Sequence, residues 1–243
     1  MRHLILLTAV FCLLILDWTA NASGVQVYTN DFQGVIGSEW SSSKTNVTPI
    51  ASRRFLGQFW NDTVSLNLAN LPQHTSVTVS FDLFVIRTWD GNIVEDPGFP
   101  GEVIGPDVWD MSVVGGTALI HTTFNNHDFN NWPQAYPGSY PSGDYLARTG
   151  AVENNTLGYT WGGYGVIDSV YHPVITFDHF AGNLELAFSS SLVDWNPPIG
   201  IDNESWGLDN IVVSVVPEPG SLIALACGVL GLAGIRRRRA SVS

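Results

Sequence analysis

The sequence predicts an all-β protein, an antiparallel β-sandwich of jelly-roll type, on three observations. Apolar and polar residues alternate with period two through most of residues 23–215, Gly, Pro, Asn and Asp interrupt the alternation, and no long stretch repeats with helical periodicity. Residues 25–29 open the series. A run at 64–68 puts Val64, Leu66 and Leu68 on one face. The clearest run, 76–86, sets Val77, Val79, Phe81, Leu83 and Val85 against Thr78, Ser80, Asp82 and Phe84. Runs at 110–114, 118–124, 174–177, 184–188 and 211–215 complete a set of about eight to ten strands at sandwich spacing, each sheet with one face buried. No internal repeat and no linker divides the series, so it reads as one domain.

Composition agrees. With 45% of residues hydrophobic and 13% charged, the chain has the apolar content for a folded core rather than that of a disordered acidic tail. Ten basic against 22 acidic side chains give a formal charge of −12, which repels phosphate backbones, so no nucleic-acid partner is expected.

Both ends read as addresses. Residues 1–22 carry Arg2 and His3, an apolar run from Leu4 to Leu16, and then Ala20-Asn21-Ala22, the small residues that signal peptidase requires. A cleaved secretory signal helix is expected, because 13 apolar residues rising about 1.5 Å each are too short for a hydrocarbon core of about 30 Å. Residues 216–243 hold Val216-Pro217-Glu218-Pro219, an apolar stretch over 221–235 that predicts a short hydrophobic helix, and the cluster Arg236, Arg237, Arg238 and Arg239. Four arginines behind an apolar segment resist translocation and hold that end in the cytoplasm.

These tail residues resemble the PEP-CTERM protein-sorting signal of Gram-negative bacteria. The resemblance implies recognition by an exosortase, transient anchoring in the inner membrane, removal of the tail near Pro-Glu-Pro, and delivery to the cell surface or the exopolysaccharide matrix. It says nothing about what the ectodomain, residues 23–215, does.

Both cysteines, Cys12 and Cys227, fall in the end segments. The ectodomain must therefore be held by its core or by a metal rather than by disulfides. Between residues 23 and 216 five basic side chains face twenty acidic ones, a formal charge of −15 that attracts divalent cations and repels anionic polymers.

Three constellations could carry chemistry. In the first, the loop 88–109, Asp90, Asn92, Glu95, Asp96, Glu102 and Asp107 occur without a basic residue. Calcium takes six to eight oxygen ligands, and Asp90 and Asn92 offer two about a tight turn; the other reading is a solvated acidic surface. The second involves Asn30-Asp31-Phe32 with Trp40, and Trp206-Gly207-Leu208-Asp209-Asn210-Ile211, which are similar to the terminal strands of jelly-roll carbohydrate-binding modules and concanavalin A-like domains. That resemblance implies a structural calcium joining Asp31 to Asp209. Alternatively, Asp209 caps a turn through Asn210.

The third is the loop 125–145, where Phe129, Trp132, Tyr136, Tyr140 and Tyr145 interleave with Asn125, Asn126, Asn130, Asn131, Gln134 and Asp144. Aromatic faces stack on sugars and amides bond their hydroxyls, which makes Trp132, Tyr136, Tyr140 and Asn131 candidates for binding extracellular polysaccharide. The alternative is a satellite cluster packing the loop onto the sandwich. No catalytic site assembles: the sequence has no Gly-x-Ser-x-Gly, no His-Glu-x-x-His and no ectodomain thiol, and acids are too frequent for a pair such as Asp90 and Asp107 to be informative. The expectation is an exported, non-catalytic carbohydrate-binding or adhesion module. The alternatives are a matrix protein without glycan affinity and a polysaccharide-acting hydrolase.

Overall fold

A computed structural model describes residues 24–127, 132–194 and 200–218. The expected signal helix and hydrophobic C-terminal helix lie outside them. Among the described residues, no helix is long and apolar enough to cross a membrane.

The described residues form twelve strands: β1 (Val25–Asn30), β2 (Thr45–Val47), β3 (Arg54–Phe59), β4 (Thr63–Leu68), β5 (His74–Arg87), β6 (Val108–Val113), β7 (Ala118–Thr123), β8 (Ala151–Asn154), β9 (Asp168–Tyr171), β10 (Val174–Asp178), β11 (Leu184–Ser191) and β12 (Glu204–Pro217). One sheet runs β2-β3-β12-β5-β9-β8, with β1 added to β12 and β10 to β5; the other runs β4-β11-β6-β7. Every pairing is antiparallel. The two faces meet in one core. Val77, Val79, Phe81, Leu83 and Val85 of β5 and Trp206, Leu208, Ile211, Val213 and Val215 of β12 pack with Val64 and Leu66 of β4, Leu186 and Phe188 of β11, and Trp109 and Met111 of β6. Aromatic rings bridge the sheets, Phe81 lying 5.8 Å from Trp109 and 5.6 Å from Phe188, and Trp109 6.0 Å from Trp206. This is a β-sandwich.

The two 14-residue strands are its spine. β5 and β12 pair from Glu204 opposite Arg87 to Pro217 opposite His74. β12 changes its second neighbour midway, pairing with β3 through Trp206–Leu208 and with β1 beyond Asn210. The change falls at a bulge, where the register skips from Asp209 opposite Asp82 to Val212 opposite Ser80 and Asn210 adopts φ 49°. Asn is one of the few side chains that tolerate that region. Just before it, Gly207 lies under the Phe55 ring, where a Cβ would come within 2.3 Å of Cδ2.

All eight strands expected from alternation are present. β2, β3, β8 and β9 were not expected. β2 and β8 are too short to show a period, and β3 and β9 are almost wholly buried, so their two faces do not alternate in polarity. The cause is a second apolar layer on the outer face of the larger sheet, formed by Phe55, Phe84, Ile86, Leu157, Tyr159 and Val170. β12 also runs through Val216 and Pro217, which the sequence reading places in the tail.

Topology fixes where a site can form. β5 ends where β12 and β9 begin, Arg87 lying opposite Glu204 and Ile86 opposite Asp168. β6 starts at that same end after the loop 88–107. The loop preceding β9 and the segment following β7 converge there too.

Candidate functional site

At this end of the sandwich is an open cleft of about 460 Å³. Its walls are aromatic: Phe99 from the loop after β5, Trp132 from the segment after β7, and Trp161 and Tyr164 from the loop before β9. Its polar lining is Thr88, Asp90, Asp96, His127, Asp194 and Asn203. The Trp161 and Tyr164 rings lie 5.9 Å apart, and the His127 ring lies 5.5 Å from Trp132 and 6.0 Å from Tyr164. Cleft geometry is fixed from behind. Thr88 Oγ1 donates to Asn203 Oδ1 at 2.7 Å, tying the end of β5 to the start of β12.

The aromatic loop divides between cleft and scaffold. Trp132 reaches the cleft. Tyr136 instead packs on Phe124 and Tyr171, at 5.0 and 5.1 Å, and Tyr140 lies against His121 at 6.1 Å with its N–H bonded to the His121 carbonyl. Asn131 lies outside the described residues. The amides read as sugar ligands are largely spent on backbone. Gln134 is fully buried, its Oε1 accepting from the N–H groups of Asn125 and Arg148 and from the Tyr171 hydroxyl, its Nε2 donating to the carbonyls of Tyr136 and Thr149. Asn126 Nδ2 donates to the carbonyls of Val85 and Arg87. Polar loops packed on a core must satisfy their own backbone, and these amides do so.

The metal candidates fall at two places in the fold, with Asp31 near enough to Asp209 for its charge to help push that carboxyl up. Asp31 is exposed and accepts the Gln33 N–H; Asp209 is buried and accepts the Asn210 N–H, the turn-capping alternative. Beside Asp31, the carbonyls of Phe32 and Gly34 are taken by the Arg54 guanidinium, at 2.5 Å each, so a side-chain cation holds the first turn. Asn92 bonds the Thr123 hydroxyl and the Gly143 carbonyl, stapling the two long loops together rather than facing Asp90.

Asp90 belongs to a different group. Asp90, Asp107 and Glu204 are all buried and offer carboxylate oxygens that lie within 4.8 Å of one another. Asp107 is fixed by accepting the N–H groups of Asp90 at 2.5 Å and Val193 at 3.3 Å. Asp90 Oδ1 faces His127 Nε2 at 3.2 Å. Neither Glu204 oxygen meets an N–H or hydroxyl donor. Burial is the main cause pushing all three carboxyls up, Asp107 to about 8, and for Asp90 and Glu204 the neighbouring acids add to it. In Asp107 the two backbone N–H groups act in the opposite direction. Three carboxylates cannot share a dry space without protons or a cation.

The sequence reading missed Glu204, Trp161 and Tyr164. Glu204 falls in period two with Trp206 and Leu208, so it is a charge on the core face of a strand, which was a usable signal. Trp161 and Tyr164 lie among Gly158, Gly162, Gly163 and Gly165, a segment without alternation, where an aromatic has no sheet to pack on.

The tail has a decided identity. Residues 215–239 match the PEP-CTERM protein-sorting motif. The chain therefore carries a signal for export and exosortase processing. The motif begins inside β12: Val216 pairs with Ser76 and Pro217 with His74. Glu218 is the last described residue of the motif, and Pro219 and the four arginines lie outside the described residues. No curated protein matches the chain.

Solved structures similar to it are a Cellvibrio mixtus lichenase carbohydrate-binding module in complex with cellotriose (12% identity, 78% of this chain and 98% of that one, TM-score 0.33) and a Paenibacillus barcinonensis xylan-binding CBM22-1 domain (11%, 82% and 99%, TM-score 0.35). A Phanerochaete chrysosporium exo-β-1,3-galactanase is also similar (12%, TM-score 0.34), and the chain, aligned over 79% of its length, spans 29% of that enzyme. At these values the likenesses decide nothing about ligand or activity.

Proposed function

We propose that the protein is an exported, exosortase-sorted surface module that binds polysaccharide, without hydrolysing it, in the cleft at the β5–β12 end. The observation that carries this reading is the cleft wall. Trp132, Trp161, Tyr164 and Phe99 surround a polar floor, and flat rings beside hydrogen-bonding groups are what a pyranose needs: stacking for its C–H face, acceptors for its hydroxyls. Tyr164 is 53% exposed and Phe99 62%, so part of each ring faces the solvent of the cleft. The charge favours neutral over anionic glycans.

A glycosidase needs two carboxyls that touch the scissile bond, and Asp107 and Glu204 are fully buried below the cleft. Of the described acids at this end only Asp90, Asp96 and Asp194 line it, and release of reducing sugar is what would assign them a catalytic role. Retention on insoluble neutral polysaccharides tests the reading. Wild type is expected to be retained without releasing reducing sugar. Trp132→Ala or Trp161→Ala is expected to weaken retention by at least about tenfold, as loss of an aromatic anchor does, with the melting temperature unchanged. Retention that survives both substitutions would refute the cleft; retention on no polysaccharide would favour a matrix protein without glycan affinity.

A further inference from the structure

We propose that Asp90, Asp107 and Glu204 form a calcium site beneath the cleft. Two segments deliver them: the loop between β5 and β6 supplies Asp90 near its start and Asp107 at its end, and β12 supplies Glu204 as its first residue. Calcium binds oxygen at about 2.3–2.6 Å, so oxygens on one ion are at most about 5 Å apart. The three carboxylates fall inside that limit, at 4.8 Å or less.

Glu204 is the second observation. It is fully buried, neither of its oxygens meets an N–H or hydroxyl donor, and it lies against the Asp107 carboxyl, which can bond it only through a shared proton. A buried carboxylate with no such donor is a costly arrangement, and where no proton is shared with Asp107 a cation is the partner that would resolve it. Asp107 is oriented by the Asp90 and Val193 N–H groups, as a preset ligand would be. The donor set is oxygen only, which selects a hard cation over zinc or copper. Asp194 adds a further negative charge to the site, and Asp90 touches the cleft, so solvent can complete the coordination. The ion would lock the cleft floor to β12 and act where the chain has no disulfide. This proposal does not depend on the cleft taking a saccharide.

The test uses the full chain in mild detergent, stripped with chelator and titrated with calcium chloride alone. Equilibrium dialysis is expected to show one calcium per chain at this site. At a hundredfold excess over the dissociation constant the melting temperature is expected to rise by roughly 5–10 °C. Glu204→Gln and Asp107→Asn are expected to abolish uptake and shift. Because each removes a charge that the metal-free protein holds poorly, the stripped variants should melt no lower than stripped wild type. Asp209→Asn is expected to keep both. No saturable uptake by wild type at millimolar calcium would overturn the proposal, and so would undiminished uptake by Glu204→Gln or its loss in Asp209→Asn. If a variant does not fold, uptake by wild type followed by sensitised terbium luminescence, excited through the nearby tryptophans and displaced by calcium, decides: its absence overturns the site.

Discussion

Asp209 shows how one buried carboxyl sets a pH response. It is pushed up to about 6, by burial above all and by Asp82 and Asp31, with the Asn210 N–H and the Arg53 guanidinium acting against the rise. His172 Nδ1, 2.7 Å from Asp82, faces the same group of charges. An unfolded Asp titrates near 3.9, so between about pH 4 and 6 the folded chain holds a proton that the unfolded chain has lost. Stability contributed by this group therefore falls as pH rises through that window and is lost above it. Asp209→Asn keeps the acceptor for the Asn210 N–H and removes the charge. The expected outcome is parity with wild type near pH 4 and about 1–3 kcal/mol greater stability at pH 8, read by urea denaturation at the two pH values.

Among elements, the 125–145 loop is the informative one, because its residues pointed to a ligand and most of them serve the fold. Gln134 alone receives or supplies five bonds in the buried interior of that loop. Gln134→Ala is expected to destabilise the protein by about 2–4 kcal/mol in thermal or urea melts, since it orphans buried N–H and carbonyl groups. Polysaccharide retention per folded molecule should be unchanged.

The same contrast explains what the sequence allowed. Strands with one wet face, such as β4, β5 and β11, announce themselves by alternation. β3 and β9 do not, because the Phe55–Tyr159 layer buries their second face, and a segment buried on both sides carries no period to read. Asp90 was legible as an acid in an acidic loop. Its grouping with Glu204 was not, because more than a hundred residues separate them and only the β5–β12 register brings them together. Trp132 was legible as an aromatic of that loop, whereas Tyr136, four residues on and equally half-buried, packs on Phe124 and Tyr171.

At the scale of the whole molecule, sorting and folding share residues. The PEP-CTERM motif starts on β12, whose closing pairs join Val216 to Ser76 and Pro217 to His74, so the first residues of the sorting signal complete the sandwich. Cutting beyond Glu218 leaves that pairing whole. Replacing Arg236–Arg239 with serine is expected to leave the ectodomain melt unchanged while the uncut chain accumulates in the host, visible on immunoblots as a band larger than the processed form by the mass of the tail.

If the β5–β12 end is the binding face, hydrogen exchange in the presence of a retaining neutral polysaccharide reads it out residue by residue. Protection confined to residues 88–104, 132–134, 160–165 and 200–204 is the predicted result. Protection on the opposite end or on the groove between β7 and β10, with the cleft loops exchanging as in the free protein, would contradict it.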